Sequence, residues 1–255
     1  MIDAHAHLTD AKLADDLDAV IARASAAGIT RILTCGEDVA SSERALELAR
    51  RYPRLLRVAV GIHPHRASSC DDAAIGRLRE LASDPLVVAI GEIGLDQSGR
   101  SESREAQEHA LSAQLVLAGD VGLPVVLHMR EASEGLRAAL DGAASLRGQL
   151  HCYSDTPEAV LSWTARGLWL SFAGTVTFAG NGALREAAQL VPSDRILAET
   201  DAPYLAPEPR RGKRCEPAFV ADTVTRLAAV RGVTGEALAA TIEENARALF
   251  GARWM

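Results

Sequence analysis

Six side chains that can bind metal ions follow or end apolar, strand-like stretches of this sequence. They are, in chain order, His5, His7, Glu92, His128, His151 and Asp201. If the strands are parallel and close into a barrel, all six side chains converge at one mouth. Imidazole and carboxylate groups that meet in this way are typical of hydrolases that use two metal ions.

His5 and His7 are two residues apart at the end of the first strand-like stretch, MIDAHAH. Because side chains alternate along a strand, both imidazoles are expected on the same face. Asp3 shares this parity and is expected one layer deeper, as a partner behind the ligands. A lone histidine is more often a packed or surface residue, but the pair at this position favours metal binding.

Glu92 lies between Gly91 and Ile93 in the motif GEIGLD. Glutamate is rarely buried unless it is paired or coordinated, and its two oxygens can hold two cations at once. The alternative is a solvated turn residue. His128 and His151 each end an apolar run, and for each the alternative is a neutral core histidine bonded to the backbone.

Asp201 ends the eighth strand-like stretch, which neighbours the first in a closed barrel. It can bind metal there and also accept a proton from the attacking water. Mixed imidazole and carboxylate ligation suits Zn, Mn, Co, Ni or Mg. Two cations about 3.5–4 Å apart can clamp the attacking and leaving oxygens of a phosphodiester. We therefore predict two divalent ions, with Asp201 and Glu92 as the catalytic carboxylates.

Strand-like and helix-like stretches alternate along the chain, which predicts an α/β fold: a single (β/α)8 TIM-type barrel domain over residues 1–255 with extra C-terminal helices. Predicted strands are 1–7, 29–35, 55–61, 86–94, 123–128, 148–152, 168–174 and 195–200. Predicted helices are 12–27, 40–51, 72–82, 101–119, 131–140, 157–166, 183–190, 216–231 and 235–250. A doubly wound open sheet is the competing fold, but it predicts coordinating residues at only two or three strand ends.

Composition narrows the class of protein. The 255 residues carry 27 basic and 34 acidic side chains, a net charge of −7 that argues against nonspecific coating by nucleic acid but not against a local basic mouth. Four scattered cysteines without a CxxC pair indicate reduced thiols. No stretch reaches membrane-spanning length and the N-terminus has no signal region. We expect a cytoplasmic protein without an obligate protein partner.

A series of motifs covers nearly the whole chain: IDAHAHL, GIHPH, GEIGLD, LPVVLHMREA, HCYSD, SFAGTVTF, AETDAPYL, RGKRCEP and ENARALF. In this order they resemble the TatD-type metal-dependent deoxyribonucleases of the amidohydrolase-like barrel group. The resemblance implies a TIM barrel and exonuclease action on DNA ends, with Asp201 as the general base and Glu92 bridging the ions. It implies one ion on His5, His7, Glu92 and Asp201, and a second on Glu92, His128 and His151.

Three segments depart from the pattern of this family. Gln97-Ser98-Gly99 follows GEIGLD where aromatic residues are common, Asp155 replaces a usual glycine, and Cys215 replaces an expected asparagine. None is a predicted ligand, so the departures bear on substrate preference. Aromatic side chains near the mouth stack on bases, and each stack contributes about 1–3 kcal/mol in single-strand binders.

Several further residues are predicted to hold the substrate. A basic run after the eighth strand, with Arg210, Arg211, Lys213 and Arg214, is a candidate phosphate clamp; the alternative is a solvated loop. His63 and His65 flank Pro64, and by resemblance they lie near the site without binding metal; a structural role in a rigid turn is the alternative.

Four other residues complete the survey. Arg130 and Tyr204 are candidates for the rim of the site. His109, inside the fourth helix, is predicted to be a surface or packing residue, and Cys152 a core residue by strand parity.

Two functional classes remain as alternatives to a DNA nuclease. The first is a metal-dependent hydrolase of a small phosphoester, amide or lactone on the same barrel. The second is a non-catalytic binding protein on the same fold, which predicts broken ligands, whereas all six are intact.

Overall fold

Eight parallel strands form a barrel with helices around it. The computed structural model describes residues 1–99, 102–142 and 146–255. Within them the strands follow one another in a single sheet in the order β1 to β8. They are β1 Ile2–Ala6, β2 Arg31–Cys35, β3 Leu56–Val60, β4 Val87–Asp96, β5 Val125–Arg130, β6 Gly148–Leu150, β7 Leu168–Phe172 and β8 Ile196–Ala198. The predicted (β/α)8 TIM-type barrel is confirmed.

The helices of the described residues cover the outside of the sheet and return the chain to the start of the next strand. They are α1 Leu17–Ala26, α2 Val39–Arg51, α3 Asp72–Leu81, α4 Arg104–Val121, α5 Ser133–Asp141, α6 Val160–Ala165, α7 Gly182–Leu190, α8 Val220–Arg231 and α9 Gly235–Phe250. Local capping sets several starts: Asp38 Oδ1 accepts from Ser41 N before α2, for example. Helices α8 and α9 are the predicted C-terminal additions.

Strand β8 meets β1 and closes the barrel. Asp201 N donates to His5 O at 3.0 Å, and His7 N donates to Ala202 O at 2.7 Å. Below them, the buried carboxylate of Asp3 accepts from Thr200 N at 2.9 Å and Thr200 Oγ1 at 2.5 Å. Asp3 is fully buried and bonds to Thr200, just after β8, and to the backbone N–H of His5, while its place as a partner behind the ligands stays a prediction. The closure brings the N-terminal histidines to Asp201.

Some predicted boundaries were wrong in ways that matter for the site. Strand β4 runs on to Asp96, two residues beyond the predicted end, so Asp96 as well as Glu92 lies inside a buried strand. Strand β6 ends at Leu150, before His151, because the backbone turns sharply at Cys152, where φ is 43°. The predicted start of the fourth helix at Ser101 lies outside the described residues, and α4 begins at Arg104.

The first predicted helix is also divided. A 3₁₀ segment, Ala11–Asp16, precedes α1.

A continuous apolar core fills the barrel and the space between strands and helices. It is built mainly from Leu, Ile, Val and Ala, as the low aromatic content of 4% requires. Among the helices that the structure describes, none combines the length and apolarity needed to cross a membrane.

Gly94 allows two strands to approach closely beside the site. Its φ is +150°, and a Cβ built on it would lie 2.0 Å from His128 O of β5. A side chain at this position would therefore push apart the strands that carry Glu92 and His128.

We predict that Gly94→Ala lowers the thermal midpoint by about 6–12 °C, because backbone strain and the clash together cost about 3 kcal/mol. Differential scanning calorimetry would measure the shift. Gly119→Ala is the matched control: a Cβ there, inside α4, meets nothing within 4 Å, and alanine is expected to stabilise the helix slightly. An unchanged midpoint in Gly94→Ala would show that the two strands are free to separate.

Candidate metal centre

The carboxylate of Glu92 lies at the centre of a cluster of histidines inside the mouth of the barrel. The residue is only 1% exposed. Its Oε2 atom lies 3.3 Å from both His5 Nε2 and His7 Nε2. Its Oε1 atom lies 2.8 Å from both His128 Nδ1 and His151 Nε2. Each oxygen therefore faces a different pair of histidines.

On the Oε2 side, the side chains come from β1 and from the segment just after β8, where the barrel closes. His5 Nε2 and His7 Nε2 are 3.2 Å apart. Asp201 Oδ1 lies 3.8 Å from His5 Nε2 and 3.4 Å from His7 Nε2. Asp201 reaches this position just after β8, with φ of 56°.

On the Oε1 side lie His128 and His151, together with His63, which was not among the six predicted ligands. His128 Nδ1 and His151 Nε2 are 3.4 Å apart. His63 Nε2 lies 3.4 Å from Glu92 Oε1 and 3.3 Å from His128 Nδ1. The structure thus brings His63 among the possible ligands, closer than the sequence resemblance suggested.

These spacings fit metal ions on both sides of Glu92. Ligand atoms at about 2.1 Å from a tetrahedral ion lie about 3.4 Å from one another, and the two groups span 2.8–3.8 Å. Glu92 Oε2 is buried without a hydrogen-bond partner among the described residues. A buried anionic oxygen is costly without a partner, which a cation would supply. Nitrogen and oxygen donors also match the preferences of divalent transition metals.

Electrostatics keep the carboxylates ionised. Burial favours neutral Glu92, but the neighbouring histidines, above all His151, lower its pKa well below the ordinary value. Burial likewise opposes ionisation of Asp201, and its hydrogen bond with His7 lowers the pKa. Burial lowers the pKa of His63 to about 4, so this imidazole is neutral, the form that binds metal.

Three side chains contact the far nitrogens of the histidines, and sequence analysis did not single them out. Glu199 Oε1 lies 3.2 Å from His151 Nδ1, Asp96 Oδ2 lies 3.3 Å from His128 Nε2, and Cys35 Sγ lies 3.5 Å from His5 Nδ1. The signal was present in part. Asp96 ends the motif GEIGLD, and Glu199 stands two residues before Asp201 in AETDAPYL.

A cavity of about 820 Å³ opens above the cluster. Arg130, Tyr204, His65 and Glu37 line it together with predicted ligands. His65 Nε2 lies 3.0 Å from Asp96 Oδ2, which holds this imidazole at the rim. Arg130 and Tyr204 thus lie where the sequence predicted them. Glu37, which follows β2, was missed, although its position after a strand matches the other site residues.

Tyr204 is held in place at the rim. It is 38% exposed, and its hydroxyl donates to Asp10 Oδ2 at 2.5 Å. Lys12 Nζ lies 4.2 Å from the ring centroid, and the ring stands edge-on to His7 at 6.2 Å. An aromatic ring is therefore available next to the ligands.

The basic run after β8 does not line this cavity. Arg214 pairs with Asp16 at 2.7 Å and Glu216 at 3.0 Å. Arg210 pairs with Asp222 at 2.8 Å, and Arg211 lies over the ring of Phe178. The acidic side chains that neutralise the run were invisible to an argument from chain position: Asp16 lies just before α1, Glu216 just before α8 and Asp222 on α8. Neither Lys213 nor the three arginines are among the lining residues of the cavity.

The remaining predictions gave mixed results. Cys152 was wrongly predicted to be a core residue, because the strand ends before it and it lines the cavity. His109 is exposed, as expected. Asp155 accepts from Ser133 Oγ and Trp163 Nε1, both at distances below 3 Å (2.7 and 2.8 Å), so this departure anchors a loop.

Cys215 is buried, with its Sγ 3.8 Å from Thr200 O.

Comparison with known proteins identifies the family of this chain. Residues 2–251 match the family described as TatD related DNase. The 3'-5' ssDNA/RNA exonuclease TatD of Enterobacter lignolyticus is 42% identical, over 98% of this chain and 99% of that protein. YabD of Bacillus subtilis, named an uncharacterized metal-dependent hydrolase, is 35% identical over 98% of each chain.

A solved structure has the same fold. YJJV, a TatD homologue from Escherichia coli, superposes with a TM-score of 0.90 at 27% identity, over 99% of this chain and 98% of that one. The matched residues 2–251 span all eight strands and the positions of the six predicted ligands. The chain belongs to the TatD-related DNase family of metal-dependent hydrolases.

Proposed function

We propose that this protein is an exonuclease that uses two divalent ions to hydrolyse phosphodiester bonds at the ends of single-stranded DNA or RNA. The observation that carries the proposal is the division of Glu92 between two groups of ligands, with Oε2 facing His5 and His7 and Oε1 facing His128 and His151. A single carboxylate in this position could serve as a ligand on both sides. Residues 1–255 act as one catalytic domain, supported by the continuous core.

The ions, when bound, activate water and neutralise the developing charge on the phosphate. The chain supplies the rest. His5, His7 and Asp201 would hold one ion, and His128 and His151 would hold the other, with Glu92 available to both. Asp201 is ionised and part of its side chain is open to the cavity, so its carboxylate accepts the proton of the attacking water. The native metal is one of Zn, Mn, Mg, Co or Ni.

The depth of the site favours chain ends and single strands. The ligands lie at the base of the cavity, and a scissile phosphate must enter it to reach them. A flexible strand end enters such a cavity more readily than a stacked duplex. Arg130 provides a cation for phosphate at the rim, and Tyr204 provides a ring for a base. The relative from Enterobacter lignolyticus is named for action on single-stranded DNA and RNA.

The cysteines support a reducing compartment. The structure leaves Cys35, Cys70, Cys152 and Cys215 as free thiols. Unpaired thiols are usual in the cytoplasm, where we place the protein.

Removing the bridging charge tests the proposed centre. We predict that Glu92→Gln lowers the ion content from two per chain to at most one and reduces release of nucleotides by more than about 10²-fold, since even partners of metal ligands contribute 10–100-fold. Elemental analysis and a single-stranded oligonucleotide assay measure the two effects. Chelation of the wild-type protein gives the same loss, which added metal reverses.

Glu108→Gln is the control, because Glu108 is an exposed carboxylate on α4 paired with Arg104. It should retain both ions and full activity. Wild-type protein that hydrolyses lactones or small phosphoesters but no oligonucleotide would contradict the proposed substrate while leaving the metal centre intact.

One arginine at the rim of the cavity and one in the basic run can test which of the two regions binds the substrate. We predict that Arg130→Ala lowers kcat/KM for oligonucleotides about 10-fold or more, mainly through KM, because a hydrogen bond to a charged group contributes about 1.5–3 kcal/mol. Arg214→Ala should leave KM unchanged and lower the thermal midpoint, because it breaks the pairs with Asp16 and Glu216. Steady-state kinetics would refute the distinction if Arg214→Ala raised KM and Arg130→Ala did not.

A further inference from the structure

Glu199 is a fully buried carboxylate directly behind His151. Its exposed fraction is 0%. Oε1 accepts from His151 Nδ1 at 3.2 Å and from Cys152 N at 2.7 Å. Oε2 accepts from Gln149 Nε2 at 3.0 Å. The residue thus receives three hydrogen bonds, all from the segment that carries His151.

These contacts set which nitrogen of His151 would face a metal ion. A carboxylate can only accept hydrogen bonds, so His151 Nδ1 donates to Glu199. Nε2 lies 2.8 Å from Glu92 Oε1, and it would present its lone pair there to a cation bound between the two residues. The ring is also stacked on His5, with centroids 3.9 Å apart, which restricts its rotation.

The position of Glu199 follows from the fold. It stands one residue past β8, while His151 stands one residue past the short strand β6. The backbone of Cys152 turns at φ 43° and directs its N–H to the same carboxylate oxygen. Glu199 therefore connects the loops after two strands that are not neighbours in the sheet.

We propose that Glu199 is a positioning residue that orients His151 and increases the affinity of its Nε2 for a metal ion. The inference rests on the proposed function, since it requires a cation between Glu92 and His151. Negative charge behind an imidazole makes the opposite nitrogen a better ligand. A purely structural role would need the acceptor oxygens but not the charge.

Glu199→Gln separates charge from shape. Glutamine has nearly the same volume and one acceptor oxygen, which can still receive His151 Nδ1–H. We expect the variant to fold, to bind one of its two Zn²⁺ ions 10–100-fold more weakly, and to bind the other with little change. Zn²⁺ titration of metal-free protein against a chromogenic chelator measures both affinities.

A control variant that contacts the same strand separates a loss of stability from a loss of metal affinity. Asn245 Nδ2 donates to Ile196 O at 2.8 Å, at the opposite end of β8 from Glu199. Asn245→Ala should lower the thermal midpoint and leave both Zn²⁺ affinities unchanged. Glu199→Asp keeps the charge but withdraws it from His151, and its weaker affinity should lie between those of the wild type and Glu199→Gln.

A readout on the wild-type protein does not depend on any variant folding. Imidazole ¹H–¹⁵N spectra should show His151 protonated at Nδ1, with the Nε2 signal shifted by Zn²⁺. Equal Zn²⁺ affinities in wild type and Glu199→Gln, or a His151 that is protonated at Nε2 in the Zn²⁺-loaded protein, would overturn the inference and leave the proposed function standing. A wild-type chain that binds no Zn²⁺ would instead overturn the proposed function, and the role of Glu199 with it.

Discussion

Burial of one carboxylate constrains the whole mouth of the barrel. Glu92 lies inside β4, and five histidine nitrogens lie within 3.4 Å of its two oxygens. An isolated ionised carboxylate at this depth would be strongly destabilising. The strands around it must therefore place their histidine side chains at the level of its carboxylate. This requirement explains why β1, β3, β5 and β6 each bring a histidine to the same point.

Irregular backbone at the strand ends makes this convergence possible. The non-glycine residues with positive φ in the described part of the chain are Glu131, Cys152, Asp201 and Leu205, and all follow β5, β6 or β8. Such conformations cost about 1–3 kcal/mol each and persist where surrounding contacts determine them. At Asp201 the contact is the bond from its N–H to His5 O, which also closes the barrel. The seam of the fold and one edge of the site are thus the same structure.

Sequence could predict what depends on strand order, but not what depends on exact backbone direction or distant partners. The convergence of the six predicted ligands could be predicted because the ends of parallel strands must meet at one edge. Cys152 was misplaced because parity fails once the strand has ended. Glu199 and Asp96 escaped notice because each contacts a histidine from another strand. Arg214 was overinterpreted because its partner Asp16 lies in a segment 198 residues away.

The charge of the chain implies that metal and substrate depend on each other. The chain has a net charge of −7, yet a nuclease has to bind a polyanionic substrate. Arginines of the basic run are paired with acidic side chains of the same chain. Glu92, Asp201 and Glu37 add negative charge to the cavity. Cations bound at Glu92 would offset this negative charge at the base of the cavity, whereas Arg130 lies at the rim. Under the proposed function, the ions would therefore serve to attract the phosphate as well as to hydrolyse its ester bond.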